Sequence, residues 1–209
     1  MFIIIIFKTE RMFNEMSTEK FLVLIDCQND FITGALGSEW ADKTVSNIVD
    51  RVKEGIANNE YIWATLDIHD AATYAETLEG KKLPVPHCIK GTAGAEIDPR
   101  IEKLFGAERK EPKKTLVYKH TFGSLHMPAY FRRVQDELGV DVELEFVGFC
   151  TDICVVSNVL IARATLPNAK ITVNAKCCAG TSVEAHNAAL TVMRSCQIDI
   201  INDEVESNG

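Results

Sequence analysis

The chain has 209 residues, 46% of them hydrophobic, and 30 acidic against 22 basic side chains give a formal charge of -8. That length can bury a sizeable core in one domain without disulfide or metal staples, and the acidic balance disfavours nucleic acid and anionic membranes as partners. Seven cysteines, an odd count without C-x-x-C spacing, read as free thiols in a reducing, cytoplasmic compartment. Met1 to Phe7, MFIIIIF, lacks the basic flank of a signal sequence and is far shorter than the roughly twenty apolar residues of a spanning helix. Residues 1-15 therefore read as an N-terminal extension of uncertain status and residues 16-209 as a single domain.

In chain order, Phe21 to Asp26 is an apolar run of strand length that ends in a carboxylate. From Ala41 to Asn59, Val45, Ile48, Val49, Val52 and Ile56 share one helical face. Tyr61 to Leu66 is a second apolar run, closed by Asp67, and the weakly periodic stretch from Ile68 to Gly94 reads as a site-forming loop. The basic pairs Arg109-Lys110 and Lys113-Lys114, flanked by Glu108 and Glu111, read as a solvated surface loop. Leu116 to Tyr118 ends in Lys119, Leu144 to Phe149 continues an alternating, acid-punctuated stretch, and Lys170 to Asn174 is a fifth run. Val183 to Ser195 reads as a helix and Gln197 to Ile200 as a closing strand. Apolar strands alternating with amphipathic helices predict a three-layer α/β/α fold, its mostly parallel, doubly wound sheet of about six strands covered on both faces. Open sheets of this kind place their sites at the carboxyl ends of the strands, where Asp26, Asp67, Lys119 and the Cys150 to Cys154 segment fall.

The segment Val140 to Val155, VDVELEFVGFCTDICV, carries the strongest chemical signal. A short turn, Gly148-Phe149-Cys150-Thr151, leads to Cys154 near the start of the apolar helix Val155 to Ala162. Free amides at a helix start would lower the pKa of Cys154 and leave room for an oxyanion, although a buried structural cysteine fits the same segment. The histidines are His69, His87, His120, His126 and His186. Asp26, buried beside a thiol, could exchange its proton, and Lys119 could hold both groups charged; a strand-end helix cap and a solvent-facing terminus are the plain alternatives. Asp67-Ile68-His69, with Glu76 and Glu79 following and His87 in Pro84-Val85-Pro86-His87-Cys88, offers imidazoles and carboxylates suited to zinc, iron or manganese. A D-x-H pair in a loop also serves as a local hydrogen bond.

These motifs resemble the isochorismatase-like cysteine hydrolase superfamily, and within it the nicotinamidase (pyrazinamidase) branch, over residues 20 to 200. Asp26-Cys27-Gln28-Asn29-Asp30-Phe31 matches D-x-Q-N-D-F, Lys119-His120-Thr121-Phe122-Gly123-Ser124 matches the lysine segment, and Gly148 to Val155 matches the nucleophile motif. The resemblance implies Asp26 as acid/base, Lys119 as catalytic lysine and Cys154 as nucleophile, with a cis peptide between Phe149 and Cys150. The backbone N–H groups of Cys150 and Cys154 would then form an oxyanion hole. It also implies one divalent metal ion, zinc first and iron or manganese as alternatives, on Asp67, His69 and His87, with Glu79 the expected third ligand of the pattern and Glu76 its alternative. Ile89 to Glu96 matches the family's G-T-x-G segment and lacks the G-K-[ST] of a phosphate loop. Phe31, Tyr74 and Phe122 become candidates for the substrate pocket.

The activity implied is hydrolysis of nicotinamide to nicotinate and ammonia through a cysteine thioester, a step of NAD salvage, with a homo-oligomer left open. Alternatives are a related hydrolase of another small amide, ureide or carbamoyl compound, a non-catalytic binding protein of the same fold, and thiol redox work by Cys150 and Cys154.

Overall fold

A computed structural model describes residues 17–105 and 113–203. The N-terminal extension and the pair Arg109-Lys110 lie outside the described residues. The elements in order are β1 Thr18–Ile25, α1 Asn29–Ile32, α2 Glu39–Ala57, β2 Tyr61–Asp67, α3 Leu78–Lys82, α4 Pro99–Phe105, β3 Lys114–Lys119, α5 His126–Leu138, β4 Asp141–Phe149, α6 Val156–Thr165, β5 Lys170–Ala179, α7 Val183–Ser195 and β6 Asp199–Ile201. The six strands are ordered β3-β2-β1-β4-β5-β6 and every pairing is parallel. Among the described residues, no helix is long and apolar enough to cross a membrane.

The alternation of side chains along β1 builds both core layers. Phe21, Val23 and Ile25 pack with residues of α5, α6 and α7, including Phe131, Val159 and Leu190. Leu22 and Leu24 point the other way, against Val45, Ile48 and Val52 of α2 and Ile101 and Phe105 of α4. Each such fully buried side chain contributes about 1.5–3 kcal/mol relative to exposure. Because both faces are covered, a central strand must be apolar at consecutive positions, which makes the Phe21 to Ile25 run legible as a buried strand.

Local chemistry moves several boundaries. The expected helix from Ala41 begins at Glu39, because Ser38 caps it by accepting from the Ala41 N–H; it ends before Asn59, whose φ of 58° is left-handed. β4 continues through Gly148 and Phe149, so those residues complete a strand with an irregular register beyond Phe146 rather than opening a turn. β5 runs past Asn174 to Ala179, sending Cys177 and Cys178 to opposite layers. All seven cysteines are free.

Four helices, α1, α3, α4 and α5, lie outside the elements read from the sequence, and the two longest show how local chemistry builds them. α5 buries Met127 and Phe131 and closes on Gly139, at φ 64°, whose N–H donates to Gln135 O. α4 opens on Asp98-Pro99: the Asp98 carboxylate accepts from the Arg100 N–H, and Pro99 sits at a position that needs no donor.

Candidate active site

The strand ends converge as the parallel topology requires. Asp26 follows β1, Asp67 ends β2 beside it, Lys119 ends β3, and Phe149 ends β4. Asp26 is fully buried at φ 48°, its N–H donating to Thr65 O, and the Thr65 hydroxyl donates to Asp26 Oδ1 at 2.7 Å. Its other oxygen lies 2.6 Å from Lys119 Nζ. That ammonium is also 3.6 Å from Cys154 Sγ and 3.5 Å from Asp67 Oδ1. One buried cation thus meets the thiol and two carboxylates from three other elements.

Burial alone would discharge Lys119, but Asp26, Cys154 and Asp67 reverse that and hold its pKa above the ordinary lysine range. Burial, with the Asp67 charge adding to it, raises the Asp26 carboxyl above its ordinary range against the pull of Lys119. The Cys154 thiol is pushed well up, first by burial and then by the Asp26 charge, with Lys119 opposing. The expectation of a helix-start thiolate is corrected here. Cys154 lies inside a π-helical turn, Thr151–Val155, before α6 and is 4% exposed. Burial and the neighbouring carboxylate outweigh the helix-start amides, so the resting sulfur is a thiol whose proton needs an acceptor. Asp26, with its raised affinity for protons, is the adjacent acceptor.

The turn itself is tightly built. Gly148 has φ 122°, and a Cβ there would run into the backbone of Ile25, so only glycine fits. The Phe149–Cys150 peptide is cis. The Cys150 carbonyl accepts from the N–H groups of Ile153 and Val155, both at 3.1 Å, while the Cys150 N–H has no protein acceptor among the described residues. The Cys150 thiol is pushed up to about 12 by burial and the nearby Asp152. That leaves a neutral side chain and favours neither a second nucleophile nor a redox thiolate.

On the other side of Asp67, four donor groups meet: Asp67, His69, Glu79 and His87, with one ligand atom from each lying within 4.8 Å of the others. His69 Nε2 is 2.8 Å from Asp67 Oδ2 and 3.7 Å from Glu79 Oε1; His87 Nε2 is 3.6 Å and 3.4 Å from the same two oxygens. His69 Nε2 is buried, and its 2.8 Å approach to Asp67 Oδ2 is an ionic contact that falls short of ordinary hydrogen-bond geometry. His87 Nδ1 lies 2.9 Å from the Val85 carbonyl, which can only accept, so Nδ1 is the donor there and Nε2 is the nitrogen that faces the cluster. A tetrahedral ion with bonds of about 2.1 Å separates its ligand atoms by about 3.4 Å, close to the 3.7 Å between His69 and Glu79 and the 3.6 and 3.4 Å between His87 and the two carboxylates. The residues fit a divalent ion. Glu79, on α3, supplies the fourth donor; Glu76 is exposed and outside the cluster. Burial opposes ionisation of Asp67, but His69 and Lys119 hold its carboxyl below the ordinary range.

The motif around Asp26 explains how this loop is held. Gln28, fully buried, donates to the carbonyls of Asp67 and Ala95 and accepts from the Asp67 N–H at 2.7 Å. Asn29 donates to Ala93 O, and Asp30 accepts from the Cys88 N–H, next to His87. Gly94 lies so close to the Asp30 carboxylate that a Cβ would overlap it. The G-T-x-G segment is therefore a packing partner of the D-C-Q-N-D-F motif. The sequence reading quoted Gln28 and Asp30 only for resemblance; polar residues following a strand-end aspartate were the signal that they hold the metal loop.

Beside these groups lies a cavity of about 780 Å³, reached by Phe31, Asp67, Glu79, His87, Phe122, Cys150 and Cys154. Phe31 meets the edge of His87 at 5.5 Å, and Phe122 is 45% exposed at the mouth. Tyr74 is placed differently from expectation. It is buried behind the histidines, edge-on to both rings, with its hydroxyl donating to Leu83 O, and it does not line the cavity.

The isochorismatase domain model matches residues 20–204. The chain belongs to the isochorismatase family. Several of its relatives are nicotinamidases or pyrazinamidases. It is 24% identical to a nicotinamidase of Schizosaccharomyces pombe over 220 residues, covering 90% of this chain and 96% of that protein. The structure of the nicotinamidase/pyrazinamidase PncA from Bacillus subtilis superposes with a TM-score of 0.75 at 26% identity, covering 87% of this chain and 98% of that one. The pyrazinamidase/nicotinamidase from Streptococcus mutans UA159 gives the same TM-score and identity over 88% and 100%. This isochorismatase-family hydrolase fold thus joins a buried Lys-Asp-Cys group to an Asp-His-Glu-His cluster through a shared neighbour, Asp67.

Proposed function

We propose that this protein is a nicotinamidase, hydrolysing nicotinamide to nicotinate and ammonia through a cysteine thioester. The observation that carries the reading is the position of Lys119, within 3.6 Å of Cys154, Asp26 and Asp67 at once. It joins a nucleophile and its base to a metal-type cluster around one cavity. The named relatives and neighbours, nicotinamidases and pyrazinamidases, support the same reading.

Asp67, His69, Glu79 and His87 would hold the divalent ion, with zinc the first candidate from the mixed imidazole–carboxylate donor set. When bound, that ion would supply an electrophilic anchor for the pyridine nitrogen and so fix the ring. The chain's own residues carry the reaction. Asp26 removes the Cys154 proton, and Lys119 balances the charge as the thiolate attacks the carboxamide carbon. The Cys150 and Cys154 N–H groups meet the oxyanion, each donor of this kind being worth about 3 kcal/mol. Asp26 returns its proton to the departing ammonia. It then takes a proton from water, the resulting hydroxide attacks the thioester carbon, and Asp26 passes that proton to the departing sulfur, restoring the Cys154 thiol and freeing the acid, which ionises to nicotinate. Phe31 and Phe122 confine the ring.

The test is ammonia release from nicotinamide by purified protein, with metal content determined on the same sample. Rapid, metal-dependent release is expected. Metal-loaded protein that releases no ammonia from nicotinamide but cleaves another small amide, ureide or carbamoyl compound would move the substrate and leave the nucleophile in place.

A further inference from the structure

We infer that Asn158 is a positioning residue that sets the spacing between the Cys154 turn and the loop following Lys119. The inference rests on the reading of Cys154 as nucleophile and Lys119 as its counter-charge. Asn158 lies on α6, one helical turn beyond Cys154, and is fully buried. Its Nδ2 donates to the Cys154 carbonyl at 2.7 Å and to the Phe122 carbonyl at 3.0 Å, and its Oδ1 accepts from the Ser124 N–H at 2.9 Å. Both donors of the amide are used, and its acceptor is engaged.

Phe122 and Ser124 belong to the segment that joins Lys119 to α5, and they flank Gly123. A Cβ on Gly123 would lie 2.5 Å from Ile161 Cδ1 and 3.3 Å from Ser157 Cβ, so the loop rests directly on α6. It is tied there by a bond on each side of its point of closest approach. An amide buried within a helix costs free energy unless fully bonded, and an aliphatic residue would fill the same space without that cost. What the amide provides is a connection between the carbonyl of Cys154 and the loop that begins at Lys119. That loop also carries Phe122 to the cavity. The 3.6 Å separation of Lys119 Nζ and Cys154 Sγ spans two elements that do not pair in the sheet, and Asn158 bridges them.

The experiment is the pH profile of Cys154 alkylation by iodoacetamide, read at the Cys154 peptide by mass spectrometry on the full-length protein as purified. Asn158→Leu removes the bonds while keeping the number and branching of the side-chain heavy atoms. Gly123→Ala lifts the loop from the opposite side and serves if Asn158→Leu does not fold. Val52→Ala, in the other core layer, controls for lost stability. Both test variants are expected to move the midpoint upward by about one pH unit, because the thiolate loses its cation, while Val52→Ala leaves it in place. On nicotinamide, kcat should fall about tenfold with KM within about threefold. An unmoved midpoint in folded Asn158→Leu, or in Gly123→Ala in its place, overturns the inference. Alkylation needs no turnover, so a shifted midpoint in protein that does not cleave nicotinamide keeps the positioning role and overturns the substrate reading instead.

Discussion

The two ends of the sheet carry cavities of nearly equal size, about 780 Å³ at the carboxyl ends of the strands and about 750 Å³ toward their amino ends. Both border ionisable groups, yet they are built differently. At the amino end, Arg51 meets Glu60 at 2.7 Å and grips Glu145 through two nitrogens at 3.0 and 2.9 Å; Asn174 donates to the same Glu145. Glu60 and Glu145 thus face a permanent cation, and Glu145 an amide donor as well. At the carboxyl end, one lysine is shared among two carboxylates and a thiol, and Asp67, one of those carboxylates, also belongs to a cluster of four metal-type donors. Cavity volume does not separate the two. What separates them is whether the charges already satisfy one another or are arranged so that a proton or an ion must complete them.

The comparison breaks most readily at Cys154. Cys154→Ala should lower turnover about a thousandfold or more while leaving nicotinamide binding nearly intact, as steady-state kinetics and equilibrium titration would show; substantial residual turnover would remove the covalent step. Next in size, His87→Ala should cost about tenfold to a hundredfold in metal affinity and raise KM, measured by metal analysis after dialysis against a weak chelator. Unchanged metal content would take His87 out of the ligand set.

The amino end should respond in the opposite way. Arg51→Met leaves Glu60 and Glu145 without their cation and should destabilise by about 2 kcal/mol, a figure discounted from that of a fully buried pair because the side chains keep some solvent contact. Denaturant unfolding reads that loss, and turnover per folded molecule should stay at the wild-type level. A drop in turnover would mean that the two ends communicate.

The smallest effect is expected at Asp98, the cap of α4. Burial pushes its carboxyl up, but the bonds from Arg100 bring it below the ordinary carboxylate range. The unfolded chain therefore binds that proton more readily than the folded one. The stabilisation is fully present above the unfolded pKa of about 4 and disappears as pH falls through the lower folded value. Asp98→Ala should cost about 1 kcal/mol at neutral pH, and the gap to wild type should shrink in acid. A gap independent of pH would show that the cap acts without its charge.

Legibility in the sequence followed the range of the interactions. Phe21 to Asp26 and Tyr61 to Asp67 could be read as strands because burial on both faces demands consecutive apolar residues, and their terminal carboxylates could be read as site residues because parallel strands present their carboxyl ends together. The histidine and aspartate pattern around His69 and His87 was equally visible, and the resemblance pointed to Glu79 ahead of Glu76; the physical reason is that α3 turns the Glu79 carboxylate inward while Glu76 stays exposed. Tyr74 looked like a pocket aromatic from its place in the loop; its ring instead backs the two histidines. α5 went unread even though Met127, Tyr130, Phe131 and Val134 recur at helical spacing ahead of Leu138-Gly139.

By itself, the sequence determined the layered parallel fold through its periodicity, and it marked Asp26, Lys119 and Cys154 as candidate chemistry through strand-end placement together with the resemblance of their motifs to a known family. The protonation state of Cys154 was decided by the tertiary structure alone. A helix-start amide is a local influence that favours thiolate, whereas burial and the Asp26 charge act through space from elements distant in sequence, and in a low-dielectric interior those influences prevail. The same holds for the lysine that three partners share, because its distances to Asp26, Asp67 and Cys154 exist only when β1, β2, β3 and the turn before α6 are packed together.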